Sequence, residues 1–465
     1  MSKKKKIIAI SAVSAIALII AGFFVKGWLY KPPSVISLYD EDADTSSIYF
    51  NSKLIGEMNG KALLENNMDN TSYYAISDEE CYYIENKKMT KVGEDLEFVM
   101  ISNHSSEALF INADDELCIY RDDELQVITD ENVEYAAISG NGEYYSYSND
   151  EAAYLGKDIG DEVKIEDIVI PCISEDADIV YGLKYKDNKF DIYTVDLNGD
   201  TKLIYEEASG INGLNEDGTE IMFYGIDGTF VCIDGKDIKQ VSENIVNSIY
   251  HYNKKQFDNN DFFAIKSFAG AVCDVRDISG KKSVKNISLI SKDYKEEVLV
   301  DNCYLFVGIS SKMDKVFYVD DNKDLFRLNT KKGATSDLLA NDVELVRISP
   351  DGNDVYFTRQ IDSEITGLYH VEKGLKEKEV ALVYDFFDVI VFDNHAYVEA
   401  NKIYCIEDGE IEELEYTDSL EGFFVDYMAQ KTYAYDKTSL YEIKGKDRKE
   451  LEGKFESIKE YDFAY

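Results

Sequence analysis

The sequence predicts an all-β chain of repeated four-stranded antiparallel units, preceded by a single N-terminal transmembrane helix. Three observations carry this. A lysine-flanked apolar run stands at the amino end. One hairpin phrase recurs through the rest of the chain with a constant internal offset. No long stretch after Val25 shows apolar residues at helical spacing with capping residues.

Lys3, Lys4, Lys5 and Lys6 precede an uncharged run from Ile7 to Val25, which Lys26 closes. As a helix its 19 residues span roughly 28 Å, close to a hydrocarbon core of about 30 Å. Trp28 and Tyr30 follow at the depth of an interfacial aromatic belt. The lysine excess before the run keeps residues 1–6 in the cytoplasm as a basic tail. It makes 7–25 a signal-anchor helix and 26–34 a linker, and it places 35–465 outside the cell membrane. A cleaved signal peptide is the competing reading. Ala15-Ile16-Ala17 has the small-x-small pattern but sits in mid-run, and Val25-Lys26-Gly27 is a poor substitute.

The repeated phrase is an apolar strand ending in Ser or Asn, a short acidic or glycine turn, and a strand rich in Tyr, Phe and Val. Its fullest copy runs from Val346 through Ser349-Pro350-Asp351-Gly352 to Phe357. Others begin at Ile101-Ser102, Ile138-Ser139, Ile173-Ser174, Leu214-Asn215 and Ile309-Ser310, and Ile76-Ser77 is expected to open a shorter one. Seven residues after the anchor stands a large apolar residue in most copies: Leu109, Tyr181, Met222, Phe317 and Tyr356. A constant offset across a turn means the same hairpin in the same register. A second phrase follows, as in Ile192-Tyr193-Thr194-Val195 and Leu368-Tyr369-His370-Val371, and then a short aliphatic strand.

That makes four strands per unit. Anchors at 102, 139, 174, 215, 310 and 349 lie 37, 35, 41, 95 and 39 residues apart, the long gap holding one irregular unit near Tyr250 to Asn302. A four-stranded period near 40 is that of a β-propeller blade. At this period the chain holds about ten blades, above the usual four to eight. Either units such as 73–98 and 388–424 are partial blades of one large ring, or two adjoining rings divide near 247–305.

The Ser-Pro-Asp-Gly turn at 349–352, its Val-Tyr-Phe strand and the Leu-Tyr-x-Val strand resemble the WD40-like repeats of TolB-type propellers. The likeness covers most of 35–465, although only the copy at 346–372 is near the family pattern. It implies the propeller fold and a docking body; the separate amino-terminal domain of TolB is not evident in this sequence.

The chain carries 49 Lys+Arg against 91 Asp+Glu, a net charge of -42. Nucleic acid is thereby excluded as a partner, since phosphate binding needs a basic footprint. The cysteines, Cys81, Cys118, Cys172, Cys232, Cys273, Cys303 and Cys405, are scattered singly in apolar stretches and read as small buried hydrophobes. No CxxC, GxSxG, HExxH, Walker A or GxGxxG pattern occurs, so no catalytic residue and no cofactor site is assigned. His104, His251, His370 and His395 each stand alone, and His370 fills a freely varied strand position. Asp196, Asn198, Asp200 and Glu207 echo the spacing of a calcium loop. Thr201 stands where that loop needs Gly, however, and a hairpin turn accounts for the same residues. Tyrosines at alternate strand positions read as packing between blades.

These readings converge on a membrane-anchored, extracytoplasmic propeller. It would act as a non-catalytic binding or scaffold module for an envelope protein, peptide or wall polymer. The alternative is an extracellular carbohydrate- or peptide-processing enzyme with acidic residues in the propeller funnel. That needs two carboxylates facing each other across a cleft.

Overall fold

The computed structural model describes residues 32–463, apart from 251–263, 266–271, 278–283, 291–295 and short loop segments. The anchor at 7–25 and the cytoplasmic tail lie outside the described residues. Among the described residues no helix is long and apolar enough to cross a membrane. All regular structure described is β.

Nine four-stranded antiparallel sheets and one longer sheet, in which strand Thr201–Asn215 serves two units, make eleven blades among the described residues. We number the blades in chain order. Blade 1 holds 35–59 and blade 2 holds 63–94. Blades 3, 4, 5 and 6 follow at 97–129, 135–166, 169–208 and 210–242. Blade 7 is the long unit at 245–303, blade 8 holds 305–340 and blade 9 holds 346–384. Blades 10 and 11 hold 388–413 and 422–450. The stretches expected to be partial blades are therefore parts of whole ones, blades 2 and 10. Within blade 7, Ala264–Ile265 pairs in parallel with Leu214 and Asn215 of blade 6.

Blade 1 closes the series. Its innermost strand is Ile458–Phe463 from the carboxyl end, which pairs antiparallel with Val35–Asp40 from Ile36↔Phe463 to Asp40↔Ile458. Ile458 and Phe455 pack with Ile36, Leu38, Tyr49 and Phe424 in one buried cluster. The Tyr49 hydroxyl donates to the Glu452 carbonyl at 2.7 Å, and the Leu64 amide donates to the Asp462 carboxylate at 2.6 Å.

The recurrent anchor has a physical cause. In each of five copies the anchor N–H donates to the carbonyl five residues on: Ser102 to Glu107, Ser139 to Tyr144, Ser174 to Ile179, Ser310 to Lys315 and Ser349 to Asp354. In four of these the hydroxyl accepts the N–H of that same residue, at 3.0 Å for Ser139, 2.9 Å for Ser174, 3.1 Å for Ser310 and 3.0 Å for Ser349. The turn is locked from both sides, and all five serines are buried, so solvent does not compete for these bonds. Ser77 differs. Its N–H bonds to the carbonyl of Glu80, only three residues on, because it caps the turn between the second and third strands of blade 2. The true anchor of that blade is Asn67, whose N–H donates to the Ser72 carbonyl and whose side-chain oxygen accepts from Thr71 and Ser72.

The offset of seven places one buried side chain per blade in the second strand: Leu109, Tyr181, Met222, Phe317 and Tyr356, with Tyr74 in the copy that begins at Asn67. Two of the tyrosines also latch neighbours. Tyr74 donates to the Ser106 carbonyl of blade 3 at 2.5 Å, and Tyr181 to the Thr219 carbonyl of blade 6 at 2.6 Å. In both, the acceptor lies four residues after the next anchor. A tyrosine buries a large ring while its hydroxyl finds a partner at the blade boundary.

Candidate binding face

The strand order gives every blade two distinct ends. One end carries the anchored turns between first and second strands and the tight turns between third and fourth; we call it the hairpin end. The other carries the turns between second and third strands and the connectors between blades; we call it the connector end. First strands of neighbouring blades approach more closely than fourth strands do, so first strands line the axis.

Among the described residues, exposed aromatic side chains divide unequally between these ends. Tyr135 starts the first strand of blade 4, and Tyr185 lies near the end of the second strand of blade 5. Tyr304 precedes the first strand of blade 8, Tyr384 ends blade 9, and Phe387 sits in the connector to blade 10. All five belong to the connector end; Tyr304 is 60% and Phe387 76% exposed. The sixth, Tyr461, lies on the closing strand and stacks on Phe424 at 4.1 Å. Ile159 and Leu197 are exposed at the hairpin end, and neither is aromatic.

The second feature is a charged inner edge over blades 9 and 10. Arg347, on the first strand Val346–Ile348, pairs with Asp388 of the first strand Asp388–Val391 at 2.9 Å. Asp388 stands directly across from Glu399 in the sheet. Burial, followed by the charge of Asp388, pushes the Glu399 carboxyl above its usual range. Burial first, and then Glu399, likewise raises the Tyr461 hydroxyl. Phe387 is fixed beside this pair by its N–H, which donates to the Glu399 carbonyl at 2.9 Å. At the blade 8 to 9 boundary a cleft of about 620 Å³ opens between Tyr304, Leu305, Asp321 and Glu344. Lys323 crosses it to Glu344 at 2.5 Å.

The calcium-loop residues are not brought together. The Asp196 carboxylate accepts the N–H groups of Asn198 and Asp200, at 2.9 and 3.0 Å, and Gly199 N–H bonds to the Asp196 carbonyl, which makes a hairpin turn. Glu207 lies at the far end of that hairpin beside the Phe190↔Ala208 pair, where Lys189 meets it at 3.4 Å. No group of three or more His, Cys, Asp or Glu among the described residues is arranged to hold a metal.

Other reactive groups are occupied structurally. His370 bonds to Asp354 at 2.9 Å and stacks on Tyr356 at 4.4 Å, and His104 bonds to Asp69 across the blade 2 to 3 boundary at 3.1 Å. The six cysteines whose surroundings are described are buried thiols. Burial pushes the Cys81 and Cys172 thiols up to about 12, away from the thiolate form that reacts.

The chain folds as a β-propeller of four-stranded antiparallel blades. No protein family matches it, and no curated protein matches it. Among solved structures it is similar to a eukaryotic initiation factor, at 8% identity and a TM-score of 0.42 over 75% of this chain and 96% of that one. It is also similar to a putative TolB from Agrobacterium tumefaciens, at 16% identity and a TM-score of 0.27, covering 58% of this chain and 89% of that one. A third is the β-propeller domain of the Trilobed protease from Pyrococcus furiosus, at 19% and 0.26, covering 60% and 97%. The fold rests on the strand pairing above, and activity does not follow from fold.

Neither end of the propeller was legible as a site in the sequence. The tyrosines that face solvent share their composition and flanks with those that face neighbouring blades. Only the strand order shows that the exposed ones gather at one end.

Proposed function

We propose that this chain is a membrane-anchored, extracytoplasmic propeller that serves as a non-catalytic binding or scaffold module, its ligand an envelope protein, peptide or polymer. The gathering of exposed aromatics at the connector end carries the reading. The anchor supplies an orientation. Val35 begins the second strand of blade 1 at the hairpin end, and Ser34 is tied there to Asn51 at 3.1 Å. With a membrane span at 7–25, the linker 26–34 reaches at most about 30 Å. The hairpin end then faces the membrane and the connector end faces away, where a partner can reach it.

The test compares full-length chains recovered from envelope preparations. One variant carries Tyr304→Ser, Tyr384→Ser and Phe387→Ser at the connector end, and the other carries Ile159→Ser and Leu197→Ser at the hairpin end. The first should lose the co-purifying envelope components, and the second should keep them. Identical recovery from both would remove the reading.

The Asp388–Glu399 pair specifically favours the alternative, a carbohydrate-processing enzyme. A carboxyl whose affinity for its proton is raised by burial, beside one paired with arginine, is the arrangement that general-acid chemistry uses. Hydrolysis of a glycan panel by the full chain, abolished by Glu399→Gln with the fold intact, would establish this second reading over the first.

A further inference from the structure

We propose that the connector end over blades 8 to 10 docks an extended polypeptide segment bearing lysine or arginine between aliphatic residues. This deepens the binding-module reading and rests on it. Apolar side chains stand out from consecutive blades here: Tyr304 and Leu305 at blade 8, Ile361 and Tyr384 at blade 9, and Phe387 before blade 10. Exposed carboxylates Asp321, Asp342 and Asp385 lie in the turns and connectors between them. The cations described at this edge, Lys323, Arg347, Arg359 and Lys402, are paired with Glu344, Asp388, Glu377 and Glu413. The surface left for a ligand is therefore apolar and anionic, whereas a neutral glycan would leave the carboxylates without counter-charge.

A lysine or arginine side chain meets both demands at once. Its stem covers an aromatic ring, its head reaches a carboxylate, and the ring face itself attracts the cation. A chain extended at about 3.3 Å per residue presents alternate side chains to the same face, so aliphatic residues can seat between the cationic ones. The connectors also hold their shape. Asp342 and Asp385 adopt left-handed backbone, and Val343 N–H bonds to the Lys323 carbonyl at 2.9 Å, tying a turn of blade 8 to the next connector. A preformed face loses less entropy on binding than a loose one.

The experiment uses the full-length chain in detergent and a fluorescent twelve-residue peptide of alternating lysine and leucine carrying a photo-crosslinker. The expected results are saturable binding, crosslinks confined to 304–305, 342–344 and 384–388, and affinity at least tenfold weaker in 0.5 M salt. Affinity should also fall at least tenfold in the Tyr304→Ser, Tyr384→Ser, Phe387→Ser variant and in an Asp321→Asn, Asp342→Asn, Asp385→Asn variant. Asparagine tolerates left-handed backbone, so the second variant keeps the connectors folded. Crosslinks spread over the hairpin end would mean general attraction to an acidic protein and would overturn the proposal. So would equal binding of the glutamate–leucine analogue, or displacement by a neutral oligoglycan. If the peptide fails to bind while envelope components still depend on the connector end, the peptide assignment falls and the binding-module reading stands.

Discussion

The closing blade makes the sharpest demand on this structure, because residues at opposite ends of the chain must share one sheet. Phe455 and Ile458 are buried against Ile36, Leu38, Tyr49 and Phe424. Truncating a buried phenylalanine typically costs about 3 to 5 kcal/mol, and cutting a buried isoleucine to alanine costs about 2 to 5. If Phe455→Ala weakens the docking of the last strand by about 3 kcal/mol, local opening of blade 1 should become about a hundredfold more frequent. The amides of Val35–Asp40 and the Leu64 amide held by Asp462 report that opening directly. Hydrogen exchange followed by mass spectrometry on the full chain should show faster exchange there. Blade 4, which pairs Tyr135↔Ser148 on the far side of two intervening blades, should keep its rate. Unchanged protection at 36–40, either in Phe455→Ala or after removal of 452–465, would refute closure by this strand.

Other outcomes follow from single features. Ser349→Ala and Ser174→Ala each strip a partly buried amide of its side-chain acceptor and should cost about 0.5 to 1.5 kcal/mol in denaturant unfolding. Gly422→Ala drives a methyl group into the Tyr435 ring and should cost about 1 to 3 kcal/mol by the same measurement. Two carboxylates should give opposite pH slopes. Glu399 holds its proton to a higher pH in the folded chain, so stability falls as pH rises from the unfolded value through the folded one. Glu399→Gln should therefore stabilise at neutral pH and make no difference below about pH 4. Glu377, bonded twice by Arg359 at 2.6 and 2.8 Å, is held below its usual range. Its contribution is present above the unfolded value and is lost as pH falls through the folded one, and Glu377→Gln should cost under about 1 kcal/mol at this partly exposed site. Mass spectrometry of the membrane-extracted chain should find Met1 or Ser2 at the amino terminus; a start near Trp28 would mean a cleaved signal and a secreted protein.

Where the sequence speaks clearly, one local interaction writes the pattern. Ser349 and its counterparts each bond the carbonyl five residues on, and all but Ser102 also accept that residue's N–H, so the anchor and its partner strand keep one spacing in every copy. The same chemistry also misleads. Ser77 caps a different turn with the same hydroxyl, and only the reach of its N–H, three residues instead of five, separates the two. The hairpins between third and fourth strands are hard to read for another reason. Turns between third and fourth strands at Asn51-Ser52, Asn86-Lys87 and Asp122-Asp123 place two successive residues in left-handed backbone without any glycine. Asn and Asp tolerate that conformation because their short side chains bond locally, so a search for Gly and Pro passes over these hairpins. Blade 2 accordingly reads as a fragment although all four of its strands pair. The binding face is hidden for a reason of a different kind. Tyr74 and Tyr384 are the same residue type, yet Tyr74 in the second strand of blade 2 is buried at a blade boundary while Tyr384, ending the fourth strand of blade 9, stands 53% exposed. What separates them is which strand of the blade each occupies and which blade end it reaches, and both depend on strand order across the whole chain. A site assembled from connectors of successive blades has no sequence motif of its own. It becomes visible only when the repeat has been folded, because repetition brings side chains some forty residues apart onto one end.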